Sequence, residues 1–248
     1  MPTPSREPPS PVPSKPAGTA ALRVYGELRA LLIAGMLEPG AKVSLRTMAA
    51  RLDVSVQPVR EAVSRLVADR ALVVLPNRAV RVPLLTLPQF RELTAIRLVV
   101  EGYAAERAAA HRTPAQLAAM RRHDAAFRRE HGHARPNGSR AIAHNQALHF
   151  AVYRAAGLAE LVPIIEGLWL RIGPVLNFDM RGADSRLRMA KSESCHARLV
   201  AAIGRGDTAG ARRALTSDIA GAAKHIEARG VLPPGASKQR GKKDGPRH

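Results

Sequence analysis

The sequence predicts a mainly α-helical protein in which an amino-terminal winged helix-turn-helix precedes an all-helical bundle. Three observations support this fold class. Two short amphipathic helices and a hairpin occupy residues 44–83. Apolar residues then recur at helical spacing from 87 to 228, with no strand signal after residue 85. Finally, 39 Lys and Arg against 20 Asp and Glu give a formal net charge of +19. Such a charge favours a polyanionic partner, although a genome biased toward Arg codons would also contribute to it.

Composition restricts the cellular setting and the classes of site. The single cysteine, Cys195, allows no intramolecular disulfide and no multi-cysteine zinc site. No run of 18 apolar residues is long enough to span a membrane, and the amino terminus lacks the apolar core of a signal peptide. We therefore expect a cytoplasmic protein without a membrane partner.

Composition also divides the chain into four segments. Residues 1–18, with seven prolines in the first sixteen positions, predict a disordered arm. Residues 19–85 are predicted to form the winged helix-turn-helix domain, and 86–230 an all-helical effector-binding and dimerisation domain. Residues 231–248 predict a disordered basic tail. Such a tail would either add solubility or hold DNA phosphates weakly.

The first elements follow from helical spacing and stop signals. A helix over 19–34 ends at Gly35 and at Pro39-Gly40. Ser44 is placed to cap a helix over 45–52. Asp53-Val54 then turns the chain. One face of the 45–52 helix is apolar, comprising Leu45, Met48, Ala49 and Leu52.

The second helix of the motif has one apolar and one polar face. Ser55 is placed to cap it. A hairpin of 71–75 and 80–83 follows. The apolar face has Val59, Ala62, Val63 and Leu66, and the opposite face has Gln57, Arg60 and Ser64. Polar and cationic groups at the start of such a helix suit a DNA major groove. Proteins that never bind nucleic acid also contain two amphipathic helices before a hairpin.

The remaining chain predicts only helices. Thr113-Pro114-Ala115-Gln116 is a capping box with proline in the first turn, and Asp207 is placed to cap the last helix. A bundle of six or seven helices is expected. The predicted helices are 87–110, 114–130, 140–156, 159–170, 171–180, 184–203 and 208–228.

Over residues 20–228 the chain resembles GntR-type bacterial transcription regulators, in the FadR-like branch with an FCD ligand-binding domain. The amino-terminal match is the string Gly35–Gly40, the helix 45–52, and Pro58-Val59-Arg60-Glu61-Ala62 after Ser55. The carboxyl-terminal match comprises Arg97 with Glu101, the segment 145–149, Cys195-His196 and Gly206-Asp207. The two halves occur in the family's order and at its spacing.

The resemblance implies a recognition helix in the major groove and a wing tip in the minor groove. Val56 stands where the family usually has Arg, Arg70 where it usually has Gly, and Ala79 where the wing usually has Gly. The missing Arg at position 56 implies a different operator or more shape-dependent binding, since Arg on guanine is the commonest specific contact. Arg60 is also consistent with a structural ion pair. The implied DNA-binding residues are Arg46, Ser55, Gln57, Arg60, Asn77 and Arg78.

Four side chains are predicted to converge in the helical domain. Asn145 and His149 are four residues apart and share one helix face. His196 and Asp218 lie nearly level across the predicted antiparallel hairpin of the last two helices. Two imidazoles, a carboxylate and an amide would suit a divalent cation such as zinc, nickel or manganese.

The resemblance also implies a metal, because many FCD domains hold one with an acidic residue and three histidines. Here Asn145 replaces the usual Asp, and Asp218 replaces the third His. The alternative is an empty polar cavity in which His149 and His196 are merely hydrogen-bonded. His225, two turns beyond Asp218, is a weaker candidate that we expect at the surface.

Arg97 is the candidate effector-binding residue. By spacing alone, Arg97 and Glu101 are consistent with a plain surface ion pair. The resemblance implies instead that Arg97 projects into the cavity and holds an effector carboxylate with its guanidinium. Tyr153, Trp169 and Phe178 either line that pocket or only fill the core.

The sequence therefore predicts a homodimeric, sequence-specific transcription regulator, a repressor that senses a small organic acid. Effector binding would favour a dimer geometry whose recognition helices no longer match their half-sites. Two alternatives remain: a metal-dependent enzyme that uses the His/Asp cluster, and a non-specific nucleoid-associated DNA binder. We expect no enzymatic activity, because no general base accompanies the cluster.

Overall fold

The computed structural model describes residues 17–179 and 185–235. Within these ranges the chain forms nine helices and a small three-stranded sheet. The amino-terminal half contains α1 (Ala17–Ile33), β1 (Lys42–Val43), α2 (Leu45–Arg51), α3 (Val56–Ala68), β2 (Val73–Val74) and β3 (Val80–Arg81). The helical domain contains α4 (Leu87–His111), α5 (Pro114–Gly132), α6 (Gly138–Ala155), α7 (Leu161–Asp179), α8 (Ser185–Arg205) and α9 (Thr208–Ala228).

The first domain is the predicted winged helix-turn-helix. Helix α1 packs on α3, and the buried faces of both helices form its core. Ser44 caps α2 by accepting a hydrogen bond from the amide of Thr47 at 3.2 Å. Ser55 occupies the N-cap position of α3, but its side chain makes no cap hydrogen bond. The hydroxyl of Ser55 is therefore not used by the helix, contrary to the prediction that it caps α3.

The sheet has the order β1-β3-β2, with both pairs antiparallel. Strand β1 was not predicted, because a two-residue strand gives no alternating pattern; Val43 pairs with Val80. The left-handed residue in the wing turn is Arg78, with φ of 60°, and not Ala79. The side chain of Asn77 accepts a hydrogen bond from the amide of Ala79 at 3.2 Å. Arg70, which stands where Gly is usual, is also left-handed, with φ of 58°.

The second domain is an all-helical bundle, and no strand follows β3 among the described residues. Thr86 and Thr113 close capping boxes at the starts of α4 and α5. Helix α4 packs along α9, α9 against α8, and α5 against α6. The prediction of separate helices 159–170 and 171–180 is wrong, because α7 is continuous from Leu161 to Asp179, with Pro174 inside it. Burial of the turns on both sides of this proline stabilises the helix despite the lost backbone hydrogen bond.

The two domains contact each other mainly where α7 crosses α1. Arg29 forms an ion pair with Glu166 at 2.9 Å, and the side chain of Asn177 donates to the carbonyl of Ile33. A Cβ on Gly173 would lie 2.9 Å from the Cα and carbonyl oxygen of Ile33, so the helices approach at backbone distance.

Both predicted tails differ from the structure at their inner ends. Helix α1 begins at Ala17, and the arm before it lies outside the described residues. After α9 the chain continues to Pro233, whose carbonyl accepts a hydrogen bond from Leu87 at 2.8 Å, and Leu232 packs on the core. The basic part of the predicted tail, from 236, lies outside the described residues. None of the described helices combines the length and apolarity needed to cross a membrane.

Candidate metal and effector site and candidate DNA interface

Three of the four predicted ligands meet in the core of the helical domain. His149 on α6, His196 on α8 and Asp218 on α9 are buried, and their candidate ligand atoms all lie within 4.8 Å of one another. Oδ2 of Asp218 is 3.2 Å from Nε2 of His149 and 3.7 Å from Nε2 of His196. Neither Nε2 atom makes a hydrogen bond of acceptable geometry. Buried ring nitrogens without partners are unfavourable unless another group binds them.

His149 is held from its other side by two buried residues. Its Nδ1 lies 2.9 Å from the hydroxyl of Tyr153, and that hydroxyl donates to the carboxylate of Glu101. Burial lowers the pKa of His149 below its usual value, even though Asp218 counteracts the shift. Burial and the charge of Glu101 raise the pKa of Tyr153 well above 10. At neutral pH the imidazole is therefore neutral and the phenol protonated.

His196 is fully buried and its ring packs edge-on against Phe127, with centroids 4.9 Å apart. Asp124 is buried near His196, and one oxygen of this carboxylate makes no hydrogen bond. Burial raises the pKa of Asp124, while the charges of Arg128 and His196 oppose that rise. Carboxylates of this kind often orient metal-binding histidines from outside the coordination sphere.

Arg97 and Glu101 form a buried ion pair, so the alternative of a plain surface pair is wrong. Arg97 is 4% exposed and Glu101 is fully buried. Nε of Arg97 lies 2.5 Å and Nη2 lies 3.2 Å from the two carboxylate oxygens. The guanidinium also stacks over Trp169, 5.3 Å from the ring centroid. Glu101 thus occupies two of the three guanidinium nitrogens.

Arg97, Asn145, His149 and Asp218 line one small cavity, of about 20 Å³. That volume holds a single ion or water molecule. Trp169 and Asn177 line it as well. A second cavity, of about 100 Å³, lies between α8 and α9 and shares Ser192, Asp218 and Ala222 with the first. Together the two cavities form the candidate effector pocket.

Several other predicted residues lie around this pocket. Asn145 is half-buried and lines the small cavity. His225 is half-buried rather than at the surface, and lines the second cavity with Cys195. The side chain of Phe178 lies outside the described residues.

Sequence reasoning missed Asn177, Ser192, Asp124 and the role of Tyr153. Tyr153 follows His149 by four residues, as His149 follows Asn145, so the shared helix face was a usable signal. Asn177 is a polar residue directly after the apolar pair Val175 and Leu176, which was a second signal. Ser192 gave no local signal, because its neighbours in the cavity come from other helices. Asp124 pairs locally with Arg128 at 3.0 Å, and its proximity to His196 on α8 gave no local signal.

The six predicted DNA-binding residues are all exposed on the winged helix-turn-helix domain. Arg46 lies in the first turn of α2, while Ser55, Gln57 and Arg60 lie at the start of α3. Asn77 and Arg78 form the wing turn. Gln57 donates to Glu61 at 3.0 Å within α3.

Two family models match the chain, one to each domain. The model described as "Bacterial regulatory proteins, gntR family" matches residues 20–82. The model described as "FCD domain" matches residues 92–221, which is more than half of the chain. The residues between the two matches, 83–91, comprise the segment that joins β3 to α4 and the start of α4.

Curated relatives match over the whole fold or over part of the chain. The HTH-type transcriptional regulator McbR of Escherichia coli (strain K12) is 31% identical over 194 residues, 78% of this chain and 86% of that protein. The gluconate operon transcriptional repressor of Bacillus subtilis (strain 168) is 34% identical over 89 residues, 36% of each chain.

Solved structures give the same result for the fold. The structure of E. coli McbR/YncC superposes with a TM-score of 0.76 at 28% identity, over 85% of this chain and 98% of that one. A structure titled as a putative transcriptional regulator GntR from Rhodococcus sp. RHA1 gives a TM-score of 0.70 at 24% identity, over 85% and 98%. The second likeness concerns the fold alone.

Proposed function

The chain belongs to the gntR family of bacterial regulatory proteins, with an FCD domain after the DNA-binding domain, and we propose that it is a repressor released by a small organic acid. It is a DNA-binding transcription regulator. The observation that carries the proposal is the buried cluster of His149, His196 and Asp218, with unpartnered Nε2 atoms facing one carboxylate oxygen.

The residues of the cluster fit a divalent cation. Two imidazole nitrogens and a carboxylate oxygen are the ligands that zinc, nickel and manganese accept in proteins, and Asn145 lines the same cavity as a neutral fourth donor. A bound cation would supply a fixed positive centre for an anionic effector. His149, His196 and Asp218 would hold it.

Charge in the buried cluster supports an organic acid as the effector. Two carboxylates, Glu101 and Asp218, outnumber the guanidinium of Arg97 by one. A divalent cation would reverse that balance and leave one positive charge, which a single carboxylate neutralises. The acid would extend into the second cavity, lined by Lys191 and Ser192, and would meet Arg97 at Nη1, since Glu101 occupies the other two nitrogens.

The exposed residues of α2, α3 and the wing are the proposed DNA contacts. Arg60 and Gln57 would read base edges in the major groove, with Arg46 and Ser55 on phosphates and Asn77 and Arg78 in the minor groove. One winged domain reads few base pairs, so a specific site requires two.

We propose a homodimer formed along α4. Ile96, Val99 and Tyr103 follow one another at helical spacing and are 40%, 62% and 43% exposed. An apolar stripe of this kind is unfavourable in water and suits a self-complementary two-fold contact. Repression, rather than activation, is supported by the relative named as a gluconate operon repressor. Since these relatives are transcription regulators, we propose a cytoplasmic regulator and not a metalloenzyme.

One experiment tests these proposals together. Footprinting on the DNA upstream of its own reading frame, with and without zinc and a panel of small organic acids, should show a protected palindrome that one acid releases. Uniform coverage at physiological salt would indicate a nucleoid-associated binder. A palindrome that responds to no acid, with turnover in a hydrolase or oxygenase screen, would favour the enzyme.

A further inference from the structure

We infer that Arg97, Glu101 and Tyr153 form a hydrogen-bond chain that fixes the tautomer of His149, so that its Nε2 lone pair faces Asp218 and a cation. Tyr153 is then a positioning residue of the metal site, although it touches no metal. This inference rests on the proposed metal site and explains why Arg97 is paired inside the protein.

The hydrogen-bond chain begins at Arg97, whose guanidinium can only donate hydrogen bonds. The guanidinium of Arg97 is charged at every physiological pH and has no acceptor atom. It donates to both oxygens of Glu101, at 2.5 and 3.2 Å, so this carboxylate acts as the acceptor of the pair. Both residues are buried, so bulk water does not compete for this pair.

The second link is Tyr153, which is fully buried on α6. Its hydroxyl lies next to Glu101 and has one hydrogen, which must point at the carboxylate because the carboxylate has none to give. The tyrosine oxygen is therefore left only as an acceptor. Its other neighbour, Nδ1 of His149 at 2.9 Å, must carry the hydrogen of that second bond.

The third link fixes the site itself. A neutral imidazole with hydrogen on Nδ1 bears its lone pair on Nε2. That atom lies 3.2 Å from Oδ2 of Asp218, another atom with lone pairs, in a buried space. Two such atoms repel each other unless a positive ion bonds to both. The hydrogen-bond chain thus prepares His149 to bind a metal.

The surrounding aromatic rings restrict this hydrogen-bond chain to one arrangement. Trp169 packs 5.3 Å from the guanidinium of Arg97 and 5.4 Å from the ring of His149. Phe150 packs edge-on against both Tyr153 and Trp169. The imidazole therefore has little room to turn over and exchange its two nitrogens.

Tyr153→Phe tests the inference by removing one oxygen atom. Tyr25→Phe is the matched control, because Tyr25 also donates to a carboxylate, Asp69 at 2.6 Å, but lies in the first domain. Zinc alone is the probe, and its affinity is measured by competition with a chromophoric chelator. We expect zinc affinity to fall 10- to 100-fold in Tyr153→Phe, as is usual when the outer partner of a metal-binding histidine is removed. Tyr25→Phe should match the wild type.

A second measurement needs no variant. In the metal-free wild type, ¹⁵N NMR of labelled histidine should show a protonated Nδ1 and a bare Nε2 for His149. The opposite tautomer, or an imidazolium protonated on both nitrogens at pH 7.5, would overturn the inference. Equal zinc affinity in wild type and a folded Tyr153→Phe would overturn it too. A wild type that binds no zinc while its His149 has the expected tautomer would refute the metal site and leave the tautomer assignment standing.

Discussion

The side-chain amide of Asn177 donates to the backbone carbonyl of Ile33, at the last residue of α1. Asn177 is 2% exposed, and it also lines the small cavity with Arg97, His149 and Asp218. One side chain therefore touches both the candidate effector pocket and the DNA-binding domain. A ligand that draws this amide into the cavity would withdraw it from α1.

We expect Asn177→Ala to destabilise the protein by about 1–3 kcal/mol, because the carbonyl of Ile33 loses a buried partner. The same variant should weaken the effector response of operator binding while leaving zinc uptake intact. Urea unfolding and gel shifts measure these effects. Gln57→Ala is the control for stability, since its bond to Glu61 is exposed. An unchanged response to effector would show that Asn177 does not couple the domains.

Gly173 and Gly167 give a matched pair within α7. A Cβ at Gly173 would lie 2.9 Å from backbone atoms of Ile33, whereas at Gly167 nothing lies within 4 Å. We expect Gly173→Ala to cost about 1–3 kcal/mol by overpacking, and Gly167→Ala to stabilise by up to about 1 kcal/mol through helix propensity. Thermal unfolding of both variants measures the difference. Equal effects would mean that α1 does not contact α7 at backbone distance in solution.

The buried histidine predicts a pH dependence in the metal-free protein. The pKa of His149 is lowered by burial, so below about pH 6.5 the unfolded chain takes up a proton that the folded chain does not. Above that pH, His149 leaves the free energy of unfolding unchanged. As pH falls toward the folded-state pKa, the free energy of unfolding decreases by at most about 1.4 kcal/mol per pH unit. Urea unfolding of the chelator-treated wild type and of His149→Gln gives the free energy of unfolding at each pH. Between pH 7.5 and 5.5 this free energy should fall more steeply with decreasing pH in the wild type. If the free energy of unfolding varied with pH equally in both proteins, the pKa of His149 would not be lowered by burial.

Arg60 is the sharpest test of the DNA interface. If its guanidinium reads a base, Arg60→Ala should cost about 1–3 kcal/mol of operator binding and relax the preference at one position. Arg129→Ala is the control, because it removes the same charge from the exposed surface of α5 in the other domain. Affinity measured at two salt concentrations separates base reading from a phosphate contact. Equal losses in both variants would indicate charge alone.

The fold could be predicted largely because its signals are local. Helical spacing and caps are properties of neighbouring residues, so Ser44, Thr113 and Asp207 were identified as caps and are observed as caps. The continuity of α7 across residues 170 and 171 could not be predicted, because it depends on packing against other helices. Strand β1 depends likewise on β3.

The candidate site was predictable only where geometry follows from topology. The meeting of His196 with Asp218 follows from an antiparallel hairpin whose turn is visible in the sequence. The burial of Arg97 and Glu101 was not visible, since a charged pair one helical turn apart is usually exposed. The residues that cover them lie far along the chain, Tyr153 on α6 and Trp169 on α7.

The last prediction separates the two domains. His149→Ala should abolish metal uptake and the effector response while operator affinity changes little, because His149 lies in the helical domain and the proposed DNA contacts lie in the other. In the wild type we expect metal to be lost on acidification, since the imidazole of His149 must be neutral to bind it. Elemental analysis of protein purified without chelator or affinity tag measures the metal, and gel shifts with the releasing acid measure the response. His111→Ala, at the exposed end of α4, is the control and should behave as wild type.

If the His149→Ala variant kept its metal, His149 would not be a required ligand, and His196 and Asp218 would hold the ion without it. If the His149→Ala variant failed to bind the operator even without acid, we would conclude that the cation stabilises the DNA-binding form. Release by the acid would then require the acid to displace that cation.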